Sequence, residues 1–332
     1  MRFSFAQHIS GALAMEGTSP TAVSYMGDLY VFWVGSYAGG IYCAKRSSSD
    51  SKWGAVYALQ GLISGIAVAE GTSPCATVYR DKLYLFYNGR GRDGTFYAQC
   101  TRSGWEPKVT ALIDHVPSKQ MGFDENSSPA ATVHNGKLHI FWSGSGRDGI
   151  YWFTLQDNTW NYQSPISGRV SVAPNSSPCA CTWGKNLCLF YNGSGKDGTY
   201  YFTYDGSQSK PWNDPITVRA KMTGGMATAD GTSPSFVSTD YGRPRLFWVG
   251  SGGHMQGLWS SEAVGDGWER QDHFANEVGR NDLGEKTSPA ATTLDVLDAE
   301  QKVVERIPFV FWAANGRRNG SAPILPIYFA TT

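Results

Sequence analysis

SPCACTWGKNLCLFYNGSGKDGTYYFTYDG, residues 177–206, decides the architecture. Ser177-Pro178 opens a run of small and β-branched residues, a tight turn follows at Gly184, and LCLFY (187–191) reads as an apolar strand. A glycine-rich loop, NGSGKDG (192–198), then leads into a third strand rich in aromatics. The same order recurs along the whole chain. The tripeptide [TS]-S-P stands at Thr18-Ser19-Pro20, Thr72-Ser73-Pro74, Ser127-Ser128-Pro129, Ser176-Ser177-Pro178, Thr232-Ser233-Pro234 and Thr287-Ser288-Pro289, with prolines 54, 55, 49, 56 and 55 residues apart. Its aromatic second strands read LYVFW (29–33), LYLFY (83–87), LHIFW (138–142), LCLFY (187–191), RLFW (245–248) and FVFW (309–312). A fourth strand is expected near Trp53, Trp105, Trp160, Trp212 and Trp268.

Four short strands joined by hairpins in a unit of about 50 residues describe a propeller blade. His134-Asn135-Gly136-Lys137 carries the Asn-Gly signal of a two-residue hairpin. Continuous apolar runs such as LYLFY suit strands covered on both faces by neighbouring blades. Proline at the start of the first strand is tolerated because that strand is the edge lining a central channel. The residues before it are expected to hydrogen-bond local backbone, a structural role for the tripeptide.

Six repeats give an all-β, six-bladed propeller spanning residues 1–332 as one domain. The sixth repeat ends on its third strand, IYFATT (327–332), while FSFAQHISGALAMEGTSP near the start resembles the end of another repeat, WNYQSPISGRVSVAPNSSP (160–178). Residues 2–10 are therefore expected to complete the C-terminal blade as its outer strand. Such closure sets a propeller apart from a solenoid, whose terminal repeats are caps.

Composition agrees. Glycine is about 12% against a usual ~7% and aromatics are 14%, a mixture that fits turns and aromatic strands and excludes collagen and disorder. A chain of this mass buries on the order of 39,000 Å² on folding, enough for a sizeable core. Lys+Arg 28 against Asp+Glu 28 leaves no net charge, which speaks against a general nucleic-acid or anionic-membrane binder. No apolar stretch is long enough for a membrane helix, and no secretory signal is evident at the N-terminus. Synthesis in the cytoplasm without a signal peptide is expected, with release to act outside the cell left open. The six cysteines (43, 75, 100, 179, 181, 188) show no zinc-like or framework spacing and are expected as free thiols. The sequons at Asn126, Asn175, Asn192 and Asn319 would then go unmodified. No metal and no cofactor is expected.

Alternating hairpins put the loop entering strand one and the loop between strands two and three on one face. The first carries Glu16, Glu70, Glu125, Asp230 and Glu285. The second reads NGRGRDG (88–94), SGSGRDG (143–149) and NGSGKDG (192–198) in repeats two to four and is degenerate in the others. It supplies Arg90, Arg92, Asp93, Arg147, Asp148, Lys196 and Asp197, beside the strand-two aromatics Trp33, Tyr87, Trp142, Tyr191, Trp248 and Trp312. Carboxylate, cation, bare backbone and flat ring together suit a sugar, whose C–H face lies on a ring while its hydroxyls pair with charged groups. Each group also has a purely structural reading: ring as inter-blade core, aspartate as turn former, cation as solvated charge. Repeats two, three and four keep the full loop and are expected to bind best.

The repeat resembles that of the β-propeller lectins, both the Photorhabdus-type bacterial and the tectonin-like ones, in its SP, WG-x-N, FxxG-like element and later aromatic. Six units also resemble the six-bladed fungal fucose-binding lectins. The resemblance implies multivalent recognition of cell-surface glycans, through pockets between blades that hold a fucose-like or other small terminal sugar. The G-x-G-[RK]-D-G loops depart from either family's binding motif. Glycans and glycoproteins are the expected partners, with no nucleic acid, no membrane insertion and room for a homodimer. The rivals are a sialidase-like propeller glycoside hydrolase and a protein-binding scaffold or toxin-targeting module. G-[RK]-D-G-[TI] echoes the sialidase box, but Asp and Gly are adjacent here, and no single asymmetric acid pair stands out.

Overall fold

Strand pairing follows the repeat. The computed structural model describes residues 3–332 except 37–39, 50, 93, 116–121, 125, 146–148, 168–169, 195–197, 207–210, 219–225, 239–243, 252–256, 266, 270, 275, 277–278, 280–282 and 316–324. Its strands form six antiparallel sheets arranged as a ring of blades. Blade 4, from the stretch quoted above, runs Cys179–Trp183, Asn186–Asn192, Thr199–Tyr204 and Ile216–Thr217 from the axis outward. Blades 1, 2, 3 and 5 begin on Thr21–Tyr25, Cys75–Tyr79, Ala130–His134 and Ser235–Val237. The expected hairpin at Asn135-Gly136 has both residues at positive φ (47° and 70°), as a type I′ turn requires.

Blade 6 is closed by the other end of the chain. Its order is Ala290–Leu297, Val303–Ala313, Leu325–Thr331 and then Gln7–Ala14 outermost. The closing strand thus starts and ends later than residues 2–10. The reason lies in Phe3. In every other blade an outer-strand tryptophan sets its edge on the strand-two phenylalanine of the preceding blade: Trp53 on Phe311, Trp105 on Phe32, Trp160 on Phe86, Trp212 on Phe141 and Trp268 on Phe190, with centroids 5.8–6.2 Å apart. Phe3 takes the sixth place, 6.1 Å from Phe247 and almost perpendicular to it. Edge-to-face contact of this kind stabilises beyond area burial. The N-terminus is held by Phe3, and regular pairing begins at Gln7↔Phe329.

The [TS]-S-P repeats solve a second problem. Inner strands are sheet edges, and their inward N–H groups need acceptors. The N–H of Ser19 donates to Ser73 Oγ, Ser73 to Ser128, Ser128 to Ser177, Ser177 to Ser233, Ser233 to Ser288, and Ser288 back to Ser19, each at 2.8 Å. A closed ring of six hydrogen bonds ties every blade to the next. A second tier runs the opposite way, from Ala76, Ala131 and Ala291 N–H to Thr21 Oγ1, Cys75 Sγ and Ser235 Oγ.

Candidate functional site

Both loop sets do share a face. In all six blades a backbone N–H of the loop entering strand one donates to the end of strand two: Met15 to Val34, Ala69 to Asn88, Asp124 to Ser143, Ala173 to Asn192, Ala229 to Val249 and Gly284 to Ala313, at 2.8–2.9 Å. The strand two-to-three loop closes on itself from Gly35 to Gly40, Gly89 to Gly94, Gly144 to Gly149 and Gly193 to Gly198. In blades 2 and 4 the loop's asparagine reaches across to the next blade. Asn88 Nδ2 donates to the Ser127 carbonyl at 2.7 Å and Asn192 Nδ2 to that of Thr232 at 2.8 Å, while Thr95 and Thr199 hydroxyls donate to their Oδ1 atoms.

The aromatics read from strand two are not the exposed ones. Trp33, Tyr87, Trp142, Tyr191, Trp248 and Trp312 are at most 2% exposed and form inter-blade core. A ring that buried offers no face to a sugar, and the structural reading of these six is the correct one. The ends of strand two that carry these rings are covered on both sides by neighbouring blades, so alternation leaves none of the six a wet face. The accessible rings are their cross-strand partners on strand three: Tyr42, Phe96, Tyr151, Tyr200, Trp259 and Tyr328. All six are partly buried. Five stack on their partners, with centroids 5.6–6.3 Å apart. A Cβ on Gly35 or Gly89 would collide with the ring of Tyr42 or Phe96, which is why the loop begins with glycine there. The sequence signal was present: in five blades an aromatic stands two residues after the loop's last glycine.

Of the charged candidates, Asp93, Glu125, Arg147, Asp148, Lys196 and Asp197 and the side chain of Arg92 lie outside the described residues. Arg90 is exposed on its loop, its N–H bound to the Ala67 carbonyl at 2.9 Å. Glu70 faces the propeller axis, where it lines a cavity of about 410 Å³ together with Glu16, Glu285, Lys286 and the serine ring. Each of these three acids precedes a residue at positive φ in a tight turn: Gly17, Gly71 and Lys286, at 54–73°. Among the described residues no three acids, histidines or cysteines close on a common metal position.

The cysteines are free. Burial pushes Cys43, Cys75 and Cys179 up to about 12, so these thiols stay protonated at neutral pH and lack nucleophilic character. Burial also lowers His139, to about 4, its ring stacked 5.6 Å from Trp152 and its nitrogens without a hydrogen-bond partner among the described residues. The folded protein keeps this imidazole neutral while the unfolded chain takes up a proton below about pH 6.5. Stability is therefore complete above that pH and falls as pH drops towards 4, by up to about 3 kcal/mol. His134, also lowered by burial, adds in the same direction. Urea melts from pH 7 to 4 are expected to show this decline, and His139→Phe to remove most of it.

Fold and loops together define a six-bladed β-propeller with a repeated loop face. No family model matches the sequence, and no curated protein does. Solved structures match over nearly the whole chain. A triple-arginine mutant of AofleA from Arthrobotrys oligospora is 13% identical, with a TM-score of 0.67 over 97% of this chain and 90% of that one. The fucose-specific lectin from Aleuria aurantia is 13% identical, with a TM-score of 0.60 over 96% and 97%. An α-L-arabinofuranosidase from Fusarium graminearum is 11% identical, with a TM-score of 0.58 over 100% and 97%. The chain thus shares the six-bladed fold of the fungal fucose-binding lectins, and enzymes have a related fold.

Proposed function

We propose that this chain is a multivalent carbohydrate-binding lectin that recognises small terminal sugars, fucose-like among them, on cell-surface glycans. One observation carries the reading: a partly exposed strand-three ring, paired with a buried strand-two ring on the face of the entering loops, recurs in all six blades. Pyranose C–H faces pack on such rings, and the loop cations Arg92, Arg147 and Lys196 supply donors for hydroxyls. Several weak sites on a rigid ring give large avidity on a glycosylated surface. A chain with no net charge favours attraction through glycans over attraction to lipid phosphates.

A glycan array probed with the labelled protein tests this. Binding to a small set of structures with a common terminal sugar is expected, and free sugar should inhibit it. The hydrolase alternative has one supporting feature, the gathering of Glu16, Glu70 and Glu285 at one axial cavity. Chromogenic glycosides are expected to show no turnover.

A further inference from the structure

The axial cavity is not one of the repeated loop sites. Its floor is the serine ring, and the geometry of that ring leaves something unused. Each Oγ accepts one N–H, yet its own hydroxyl proton has no acceptor among the described residues. Three of these serines, Ser73, Ser128 and Ser288, are more than nine-tenths buried, and all six line both this cavity and the channel on its far side. Ser36 Oγ, of a residue lining the cavity, has no hydrogen-bond partner among the described residues. Buried donors left unmade are costly. Glu16, Glu70 and Glu285 line the same cavity, with Lys286 as the one cation among its described lining residues.

We propose that this cavity binds one cationic polyhydroxylated ligand of the amino-sugar class per chain. Its oxygens accept from the serine ring, and its ammonium and remaining hydroxyls donate to the acidic rim. A bare metal ion fits less well: the floor offers donors, and the acids do not converge on one metal position. At about 410 Å³ the space lies in the range of small-molecule pockets, roughly 300–1,000 Å³. The asymmetry of the rim also suits a single bound orientation. Asn126 and Asn175, hydrogen-bonded to each other at 3.0 Å, form one side, and Glu285, Lys286 and Glu16 the other. The site is independent of the inter-blade reading and stands or falls separately.

Titration of the full chain with D-glucosamine, followed by calorimetry and by backbone amide shifts of the six ring serines, tests the proposal. One site per chain is expected, with shifts at those serines and at least tenfold weaker binding of D-glucose. The combined change Glu16→Gln, Glu70→Gln and Glu285→Gln keeps shape and the serine ring, and should weaken glucosamine at least tenfold with an unchanged melting temperature. Equal affinity of that variant, undisturbed serine amides, or a response to calcium chloride but none to glucosamine would overturn it. A variant that unfolds is replaced by the three single changes, each expected to weaken binding; three unaffected singles would equally overturn it.

Discussion

A chain lacking residues 1–14 is expected to lose the folded ring rather than merely soften one edge. The deletion removes the outer strand Gln7–Ala14 and its ladder with Leu325–Thr331. It also strips out Phe3 and Ile9, at 3% and 1% exposure, each worth about 1.5–3 kcal/mol of burial. Adding a few net hydrogen bonds at about 1 kcal/mol each brings the loss to roughly 6–10 kcal/mol. Domains as a class hold only about 5–15 kcal/mol. The uncovered edge of Leu325–Thr331 would then be free to pair with other chains. Size-exclusion chromatography and a thermal melt check this: aggregated or unfolded material is expected, whereas a monomer that melts with the full chain would contradict ring closure.

The second large effect concerns binding. Changing Phe96, Tyr151 and Tyr200 together to leucine removes the flat rings of blades 2 to 4. It keeps apolar bulk against the buried partners Tyr87, Trp142 and Tyr191. Covering roughly 50 Å² of ring at about 25 cal/mol per Å² makes each contact worth about 1 kcal/mol, several-fold in affinity per site. On a multivalent surface such losses multiply, and avidity for an immobilised glycoprotein is expected to fall about 100-fold. The melting temperature should move by only a few degrees, because these rings are partly exposed. Undiminished avidity in a folded triple variant would place the ligand elsewhere.

Why the ring was legible and the site only half so follows from what repeats in the sequence. [TS]-S-P marked every blade because its serine has the same hydrogen-bond duty six times over. The tryptophans at 53, 105, 160, 212 and 268 marked the outer strands for a comparable reason, each filling one inter-blade notch. Closure was legible from the N-terminal segment, though the range 2–10 overlaps only the first half of the strand Gln7–Ala14: a phenylalanine fills the sixth notch, and Phe3 does not look like a tryptophan. The aromatic face was misread for a geometric reason. LYLFY and LHIFW announce rings, but a strand sandwiched between blades buries alternate residues on both sides, so apolar pattern alone cannot say which ring meets solvent. Pairing register settles it, since Trp142 lies opposite Tyr151 and covers it only from one side. The serine ring's spare donors could not be read at all, because a hydroxyl's unused proton depends on where neighbouring blades sit.

Calorimetric titration with a monovalent neutral sugar, L-fucose or the terminal monosaccharide selected on the glycan array, bears most directly on the proposed function. More than one site per chain is predicted, with the heat largely lost in the Phe96, Tyr151 and Tyr200 leucine variant. A stoichiometry of one, retained in that variant and accompanied by turnover of the matching chromogenic glycoside, would contradict the lectin reading and leave the axial acids as the seat of an enzyme.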